Sequence, residues 1–240
     1  DGLMKDGRLS IGILGDSTEG IAVAGALQAA GHIVVGYSTK PGESMEQIQT
    51  ALPFSKALSE TELLQQSDLV ILAIEAQELQ LQVENLVEKD LLHAGQLLVH
   101  LAKEFDHEVL SAVMPLGVIP LALSPAMVFT GTSLDQARFK ECYFAVSAPN
   151  VAIPIAQALV IEMGAEPIVV SGENRAAFAE AVAVAGNFSA MIVNQAIGLL
   201  EQAGVDSPAS VLAPVVRSAV EQALAKGYKN LDPEDLLGDN

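Results

Sequence analysis

Ser10-Ile11-Gly12-Ile13-Leu14-Gly15-Asp16-Ser17-Thr18-Glu19-Gly20 is the stretch on which the fold reading turns. Its first half is a compact apolar run that breaks at Gly15, as a buried strand does. The residues beyond open a helix from about Gly20 to Ala30, which Gly31 stops. In a strand–turn–helix of this kind, one glycine permits the tight turn. A second lets the backbone approach a pyrophosphate, and a third lets helix and strand pack closely. Gly15 and Gly20 stand in the first and third places, and Ser17 stands in the second. The helix N-terminus behind them attracts anions. The turn is therefore a candidate dinucleotide-binding loop, narrowed by the Cβ of Ser17 but given a hydroxyl that can donate. The other reading is an inherited turn that holds no ligand.

Working outward, His32 to Tyr37 reads as a second strand, followed by Ser38-Thr39-Lys40. Loops that take NAD usually carry Asp or Glu here to hold the ribose diol. Two hydroxyls and a cation suit a 2′-phosphate better, so NADP is favoured and NAD is the alternative. Ser59-Glu60-Thr61-Glu62 has the form of a capping box, opening a short helix that ends near Gln66. Leu69 to Ile74 is an unbroken apolar run suited to a central parallel strand. Leu79, Val83 and Leu86 keep helical spacing. Gln96 to Leu101, Val118 to Leu123, Tyr143 to Ser147 and Pro167 to Val170 read as further strands, with a helix from about Pro154 to Met163. The alternation predicts an α/β fold, a mostly parallel sheet covered by helices.

Composition changes after Gly172. From Arg175 to Lys226 there is only long helical pattern, and Asp206-Ser207-Pro208 supplies a cap and a helix-start proline for the last helix. The expected domains are residues 1–172 and a smaller all-helical unit, 173–240. Ala176 to Leu200 is apolar, but Glu180, Asn187, Asn194 and Gln195 interrupt it, so a buried protein helix is expected rather than a membrane span.

The charge is −18, from 12 Lys+Arg against 30 Asp+Glu, and it disfavours nucleic acid and anionic membrane surfaces as partners. Apolar residues make up 50% of the chain, enough to exclude a disordered chain. Total charge says less about a phosphate-bearing ligand than placement does. Six of the cations precede Gly131, and Lys40 and Lys103 among them fall at strand ends. The one cysteine, Cys142, is expected to be a small buried hydrophobe. With no secretory pattern at the start, the expected location is the cytoplasm. The four histidines, His32, His93, His100 and His107, form no i,i+4 pair, so no metal is expected. Neither a G-x-S-x-G elbow nor a Walker element is present.

From about Leu9 to Leu224 the chain resembles the 6-phosphogluconate dehydrogenase-like superfamily, which includes pyrroline-5-carboxylate reductase. It is most similar to a Rossmann-like oxidoreductase branch with a C-terminal helical domain of unknown function. The residues that carry the resemblance are Ser67 to Ala73, His100, Pro125-Ala126-Met127-Val128-Phe129-Thr130-Gly131-Thr132, Glu162 to Pro167, and Asn187. The block from Pro125 to Thr132 is the most specific. Departures are also visible. Relatives carry glycine at Ser17, and their His-Thr-Ser-Gly becomes His100-Leu101-Ala102-Lys103. Their His-Pro becomes Ser124-Pro125, and an aromatic-His pair becomes Phe178-Ala179. A Gly-Pro-x-x-Arg-Gly-Asp-like stretch is not recognisable in Asn230 to Asn240.

The resemblance implies a fold with a dinucleotide domain and a helical domain, and hydride transfer between nicotinamide and a substrate carbonyl or imine. His100 ends the fifth strand, at the carboxyl edge where ligands lie, and is the candidate proton donor or base. Lys103 can orient a carboxylate. Glu180, Asn187, Asn194 and Glu201 recur every seven residues and form one helix stripe. Asn187 matches the asparagine that relatives direct towards substrate. The expected function is an NAD(P)-dependent oxidoreductase, NADP favoured, acting on a small carboxylated oxo, hydroxy or imino compound. Gly15, Ser17, Gly20, Ser38, Thr39 and Lys40 are the expected cofactor residues, and His100 and Asn187 the expected catalytic ones. The alternative is a catalytically silent homologue that binds a nucleotide, a metabolite or a protein partner. Superfamily members commonly pair through the second domain, so a homodimer through the C-terminal helices is expected.

Overall fold

The structure, a computed structural model, describes residues 7–40, 42 and 44–227. The stretch Asn230 to Asn240 lies outside the described residues. Eight strands form one sheet: β1 Ser10–Gly15, β2 Ile33–Ser38, β3 Lys56–Ala57, β4 Leu69–Ala73, β5 Leu97–His100, β6 Ile119–Pro125, β7 Tyr143–Ser147 and β8 Glu166–Val169. Their order is β3-β2-β1-β4-β5-β6-β7-β8, and every neighbouring pair is parallel except β6 and β7. The helices are α1 Thr18–Ala29, α2 Ser44–Ala51, α3 Glu60–Gln66, α4 Leu79–Glu88, α5 Leu134–Arg138, α6 Ile153–Glu162, α7 Gly172–Gln202 and α8 Pro208–Lys226.

The central strands show why their sequences are continuously apolar. Leu69, Ile71 and Ala73 of β4 enter one core, with Ile21, Val23 and Leu27 of α1. Val70 and Leu72 point to the opposite face, with Leu63, Leu64, Val83 and Leu86 from α3 and α4. Side chains alternate across a strand, so a strand covered on both faces has no position left for a polar residue. His32 ties the first core to α6: Leu9 N–H donates to its Nδ1 at 3.0 Å, and its Nε2 meets Glu162 at 2.5 Å.

Several local features depart from the sequence reading. α1 begins at Thr18, two residues earlier than expected, because Ser17 caps it. The capping box at Ser59 and Glu62 is present as expected. Ser207 is not a side-chain cap; it lies at φ 54° with no cap hydrogen bond, and Pro208 alone starts α8. A 3₁₀ segment from His107 to Leu116, closed by Gly117 in the left-handed region, connects β5 to β6. The expected burial of Ala176 to Leu200 does not hold in the single chain. Phe188, Met191, Ile192 and Leu199 are all exposed, and Arg175 is the one buried residue of α7 among those described. Two helices have too little apolar surface between them to bury their own faces.

The chain divides into two compact units, residues 1–182 and residues from 183 onward. The first contains the sheet and the root of α7. The second contains the rest of α7 and, after it, α8.

Candidate functional site

The site begins at the end of β1. Gly15 has φ +105°, a backbone conformation reserved for glycine, and a Cβ there would overlap the carbonyl of Ala73. That carbonyl accepts two bonds, from Asp16 N–H at 2.9 Å and Ser17 N–H at 3.0 Å. Gly20 also faces Ala73, whose Cβ leaves no room for another. The turn is thus wrapped around one small residue at the end of β4. Ser17 occupies an extended conformation, and its Oγ accepts from Gly20 N–H at 3.1 Å. This is an N-cap, so the hydroxyl that replaces a glycine spends its acceptor on the helix. The amides of Thr18 and Glu19, the first two of α1, have no protein acceptor among the described residues.

In front of this turn lies a cleft of about 1120 Å³, at the carboxyl ends of β1, β2, β4 and β5. It collects Gly15, Ser17, Ser38, Thr39 and Lys40, five of the six residues expected to hold a cofactor. Gly20 packs behind the turn. The cleft is lined by Asp16, Glu19, Glu60, Glu75, Glu78 and Glu104 together with two cations, Lys40 and Lys103. Glu75 and Glu78 are fixed in a reciprocal cap at the start of the segment after β4.

His100, the expected proton donor or base, is not among the residues that line the cleft. The ring is 0% exposed, and both nitrogens are taken. Nδ1 accepts from Ala102 N–H at 3.1 Å, so the proton sits on Nε2, which donates to Asp106 O at 2.7 Å. Burial pushes its pKa down from 6.5 to about 4, with the field of Arg175 in the same direction, against the Asp106 carbonyl bond. His100 is a neutral side chain that closes the 100–106 loop on itself, with no nitrogen left for a substrate. Its neighbours Leu101, Ala102 and Lys103 line the cleft instead. Asn187 is exposed on α7, in the second unit.

The specific block after β6 is built around a residue not singled out from sequence. Asp135 is 1% exposed, and its carboxylate accepts from Thr130 N–H and Oγ1 at 2.7 Å each and from Gly131 N–H at 2.8 Å. Burial alone would raise its pKa; the bonds from Thr130 and Gly131 and the charge of Arg138 hold it below the ordinary value. The loop packs beside the start of α1, where a Cβ on Gly131 would lie 3.5 Å from Thr18 Cγ2. The readable signal was an Asp three residues after Thr132, since Asp and Thr commonly organise turns. Asp135→Ala is expected to cost about 2 kcal/mol by urea unfolding. Bonds to a charged acceptor contribute about 1.5–3 kcal/mol each, but this loop is exposed and water takes over part of them. An unchanged midpoint would show that the loop is held otherwise. Cys142 is buried, and burial pushes its thiol pKa up, which makes it inert. Among the described residues, no three His, Cys, Asp or Glu side chains are grouped to hold a metal.

A strand order of 3-2-1-4-5, with a glycine turn at the point where the order reverses, defines a doubly wound α/β protein. The chain belongs to the Rossmann-like domain family, whose model matches residues 1–125. Residues 142–231 match a domain of unknown function, DUF2520. No curated protein matches the sequence. Solved structures are similar in fold. One is a Bacteroides fragilis protein described as a candidate NADP oxidoreductase, with TM-score 0.73 and 17% identity over 95% of this chain and 83% of that one. A second is 1-pyrroline-5-carboxylate reductase from Streptococcus pyogenes, with TM-score 0.68 and 18% identity over 96% and 84%. A third is a semialdehyde dehydrogenase NAD-binding protein from Cupriavidus necator in complex with calcium and NAD. Its TM-score is 0.65, with 13% identity over 95% and 87%.

Proposed function

We propose that the chain is an NAD(P)-dependent oxidoreductase with a preference for NADP, acting on a small carboxylated oxo, hydroxy or imino compound. The observation that carries this reading is one cleft lined by the Gly15–Glu19 turn, by Ser38, Thr39 and Lys40, and by Lys103. The residues present fit a dinucleotide. The free amides of Thr18 and Glu19 supply donors for a pyrophosphate at a helix N-terminus. Ser38 and Thr39 offer hydroxyls to a ribose, and Lys40 offers a cation to a 2′-phosphate. Nicotinamide, when bound, supplies or accepts the hydride. Lys103 holds the substrate carboxylate. Asn187→Ala, assayed for ligand affinity, tests the substrate contact that the resemblance implies for Asn187.

A second reading, a catalytically silent homologue, is favoured by two observations. The cleft lining carries six carboxylates against two ammonium groups, and His100 has no free nitrogen. Thermal unfolding in NADPH and in NADH decides between them. A ligand that binds only the folded protein, present at 100 times its Kd, stabilises by about 2.7 kcal/mol. The expected result is a shift with NADPH larger than with NADH, and loss of that difference in Lys40→Ala. No shift with either nucleotide at millimolar levels sinks the oxidoreductase reading.

We also infer that two copies pair through α7. Val184, Phe188, Met191, Ile192 and Leu199 are exposed and fall on one helix face, bordered by the stripe Glu180, Asn187, Asn194 and Glu201. Light scattering is expected to give a dimer at micromolar concentration and a monomer for Ile192→Glu. A wild-type monomer removes the pairing.

A further inference from the structure

One set of buried polar groups has no part in the reading above. Arg175, in the first turn of α7, is 0% exposed, with no carboxylate bonded to its guanidinium among the described residues. Its three nitrogens each donate to a different element. Nε reaches Val170 O at 3.2 Å, just beyond β8. Nη2 reaches Ala145 O of β7 at 3.1 Å, and Nη1 reaches Ser124 Oγ of β6 at 2.6 Å. The Ser124 hydroxyl, itself 0% exposed, passes its own proton on to Ala102 O at 2.8 Å. Ala102 is therefore gripped at both ends of its peptide: its carbonyl by Ser124, and its N–H by Nδ1 of His100 at 3.1 Å. His100 closes the set by donating from Nε2 to Asp106 O at 2.7 Å.

A buried guanidinium costs several kcal/mol of desolvation and contributes little net stability by itself. Tying three neighbouring segments together does not require a charged group. What a planar guanidinium supplies is fixed direction, because its N–H groups leave in set directions from one plane. Here the N–H that differs from the others in target, Nη1, orients a hydroxyl that has a single proton to give. With Arg175 donating to it, Ser124 cannot rotate its proton back and must donate to Ala102. The next residue along the chain, Lys103, is the cation on this part of the cleft wall.

We propose that Arg175 is a positioning residue for the cleft, acting through Ser124 to set the Leu101–Glu104 segment and with it Lys103. The proposal rests on the cleft being the ligand site, but its first test does not require any ligand. Replacing Ser124 by alanine removes the middle link and creates no overpacking. Arg175→Met removes the first link. Val160→Ala, a core truncation on α6, serves as the control, because Val160 is fully buried and its side chain has no hydrogen bond to give to any of these groups.

Amide hydrogen exchange is measured by mass spectrometry on the protein without ligand. Ser124→Ala is expected to speed exchange in the peptide covering 101–106 by about tenfold, while peptides over β1 and β4 stay as in wild type. Val160→Ala is expected to leave 101–106 unchanged relative to those core peptides. Arg175→Met, if it folds, is expected to match Ser124→Ala at 101–106. Unchanged exchange at 101–106 in Ser124→Ala overturns the proposal, and so does a rise shared equally with the core, since either makes the network a staple of the fold only. NADPH titration then adds the functional arm. In Ser124→Ala the Kd for NADPH, which Lys40 and not Lys103 meets, is expected to stay within about twofold of wild type, while affinity of the NADPH complex for a small oxo acid such as pyruvate falls about fivefold by loss of a fixed Lys103. If wild type binds no NADPH, the oxidoreductase reading falls while the exchange result stands.

Discussion

Gly15→Ala is expected to destabilise the protein by about 4 kcal/mol and to abolish nucleotide binding with it. Two separate costs add. A φ of +105° is strained for any residue with a Cβ, at about 1–3 kcal/mol. The new methyl would also overlap the carbonyl of Ala73, which must move and release the amides of Asp16 and Ser17, at about 1 kcal/mol for each bond. Gly31 separates the two. It has the same φ of +105°, but the nearest atom to a Cβ there is Arg8 Nε at 3.8 Å. Gly31→Ala therefore carries the strain alone and should cost about 1–2 kcal/mol. Urea unfolding of the two variants reads the difference directly. If both cost the same, the Ala73 contact carries no weight and the turn is not built around it.

The same comparison shows what the sequence could and could not convey. Gly15 and Gly20 were legible as turn and packing glycines because each depends on local geometry: a left-handed φ, and a missing Cβ. The requirement that Ala73 be small was not legible. It is a contact between residues more than fifty positions apart, and an alanine ending an apolar strand is unremarkable in composition. Strand existence was equally local, so Val118 to Leu123 and Tyr143 to Ser147 both stood out. Their antiparallel pairing did not, since a buried strand has the same apolar run in either direction. In the sequence Arg175 marks only where the helical pattern begins. A cation at the root of an apolar helix is ordinarily solvated, and only the approach of β6 and β7 makes it an internal donor.

The cleft shows the same division in its charges. The turn, the two hydroxyls and Lys40 could be read as one constellation because they follow the ends of successive strands. The six carboxylates lie on four different segments, and no window of sequence brings them together. They set a cost that any polyphosphate must overcome. Affinity for NADPH is therefore expected to rise, or hold, with moderate salt, since screening weakens the repulsion from the exposed carboxylates. On the proposed reading, that places the donors offered to the pyrophosphate, the Thr18 and Glu19 amides, at the centre of recognition.

Lowering the pH from 6.5 to 4 is expected to remove about 3 kcal/mol of stability through His100 alone. The unfolded chain takes up a proton near the ordinary imidazole value of 6.5, whereas in the fold the ring stays neutral down to about 4. Between those values the unfolded state binds more protons than the native state, so stability falls as pH falls. It levels off below about 4, where both states are protonated. The cause is structural. Protonating Nδ1 would turn an acceptor into a donor facing Ala102 N–H, in a fully buried site and beside the charge of Arg175. Each pKa unit of difference corresponds to 1.36 kcal/mol. His100→Asn isolates the effect, because the asparagine Oδ1 can stand where Nδ1 stands and accept from Ala102, without titrating. That variant loses the bond to Asp106 O and should be less stable than wild type at pH 7 by about 1 kcal/mol. Its stability should depend less on pH, so that the two curves cross about one unit below 6.5 and wild type is the less stable protein by pH 4. Urea unfolding at half-unit intervals measures this. Parallel curves over the whole range would mean that His100 titrates equally in both states, and that the closed loop around it does not persist in solution.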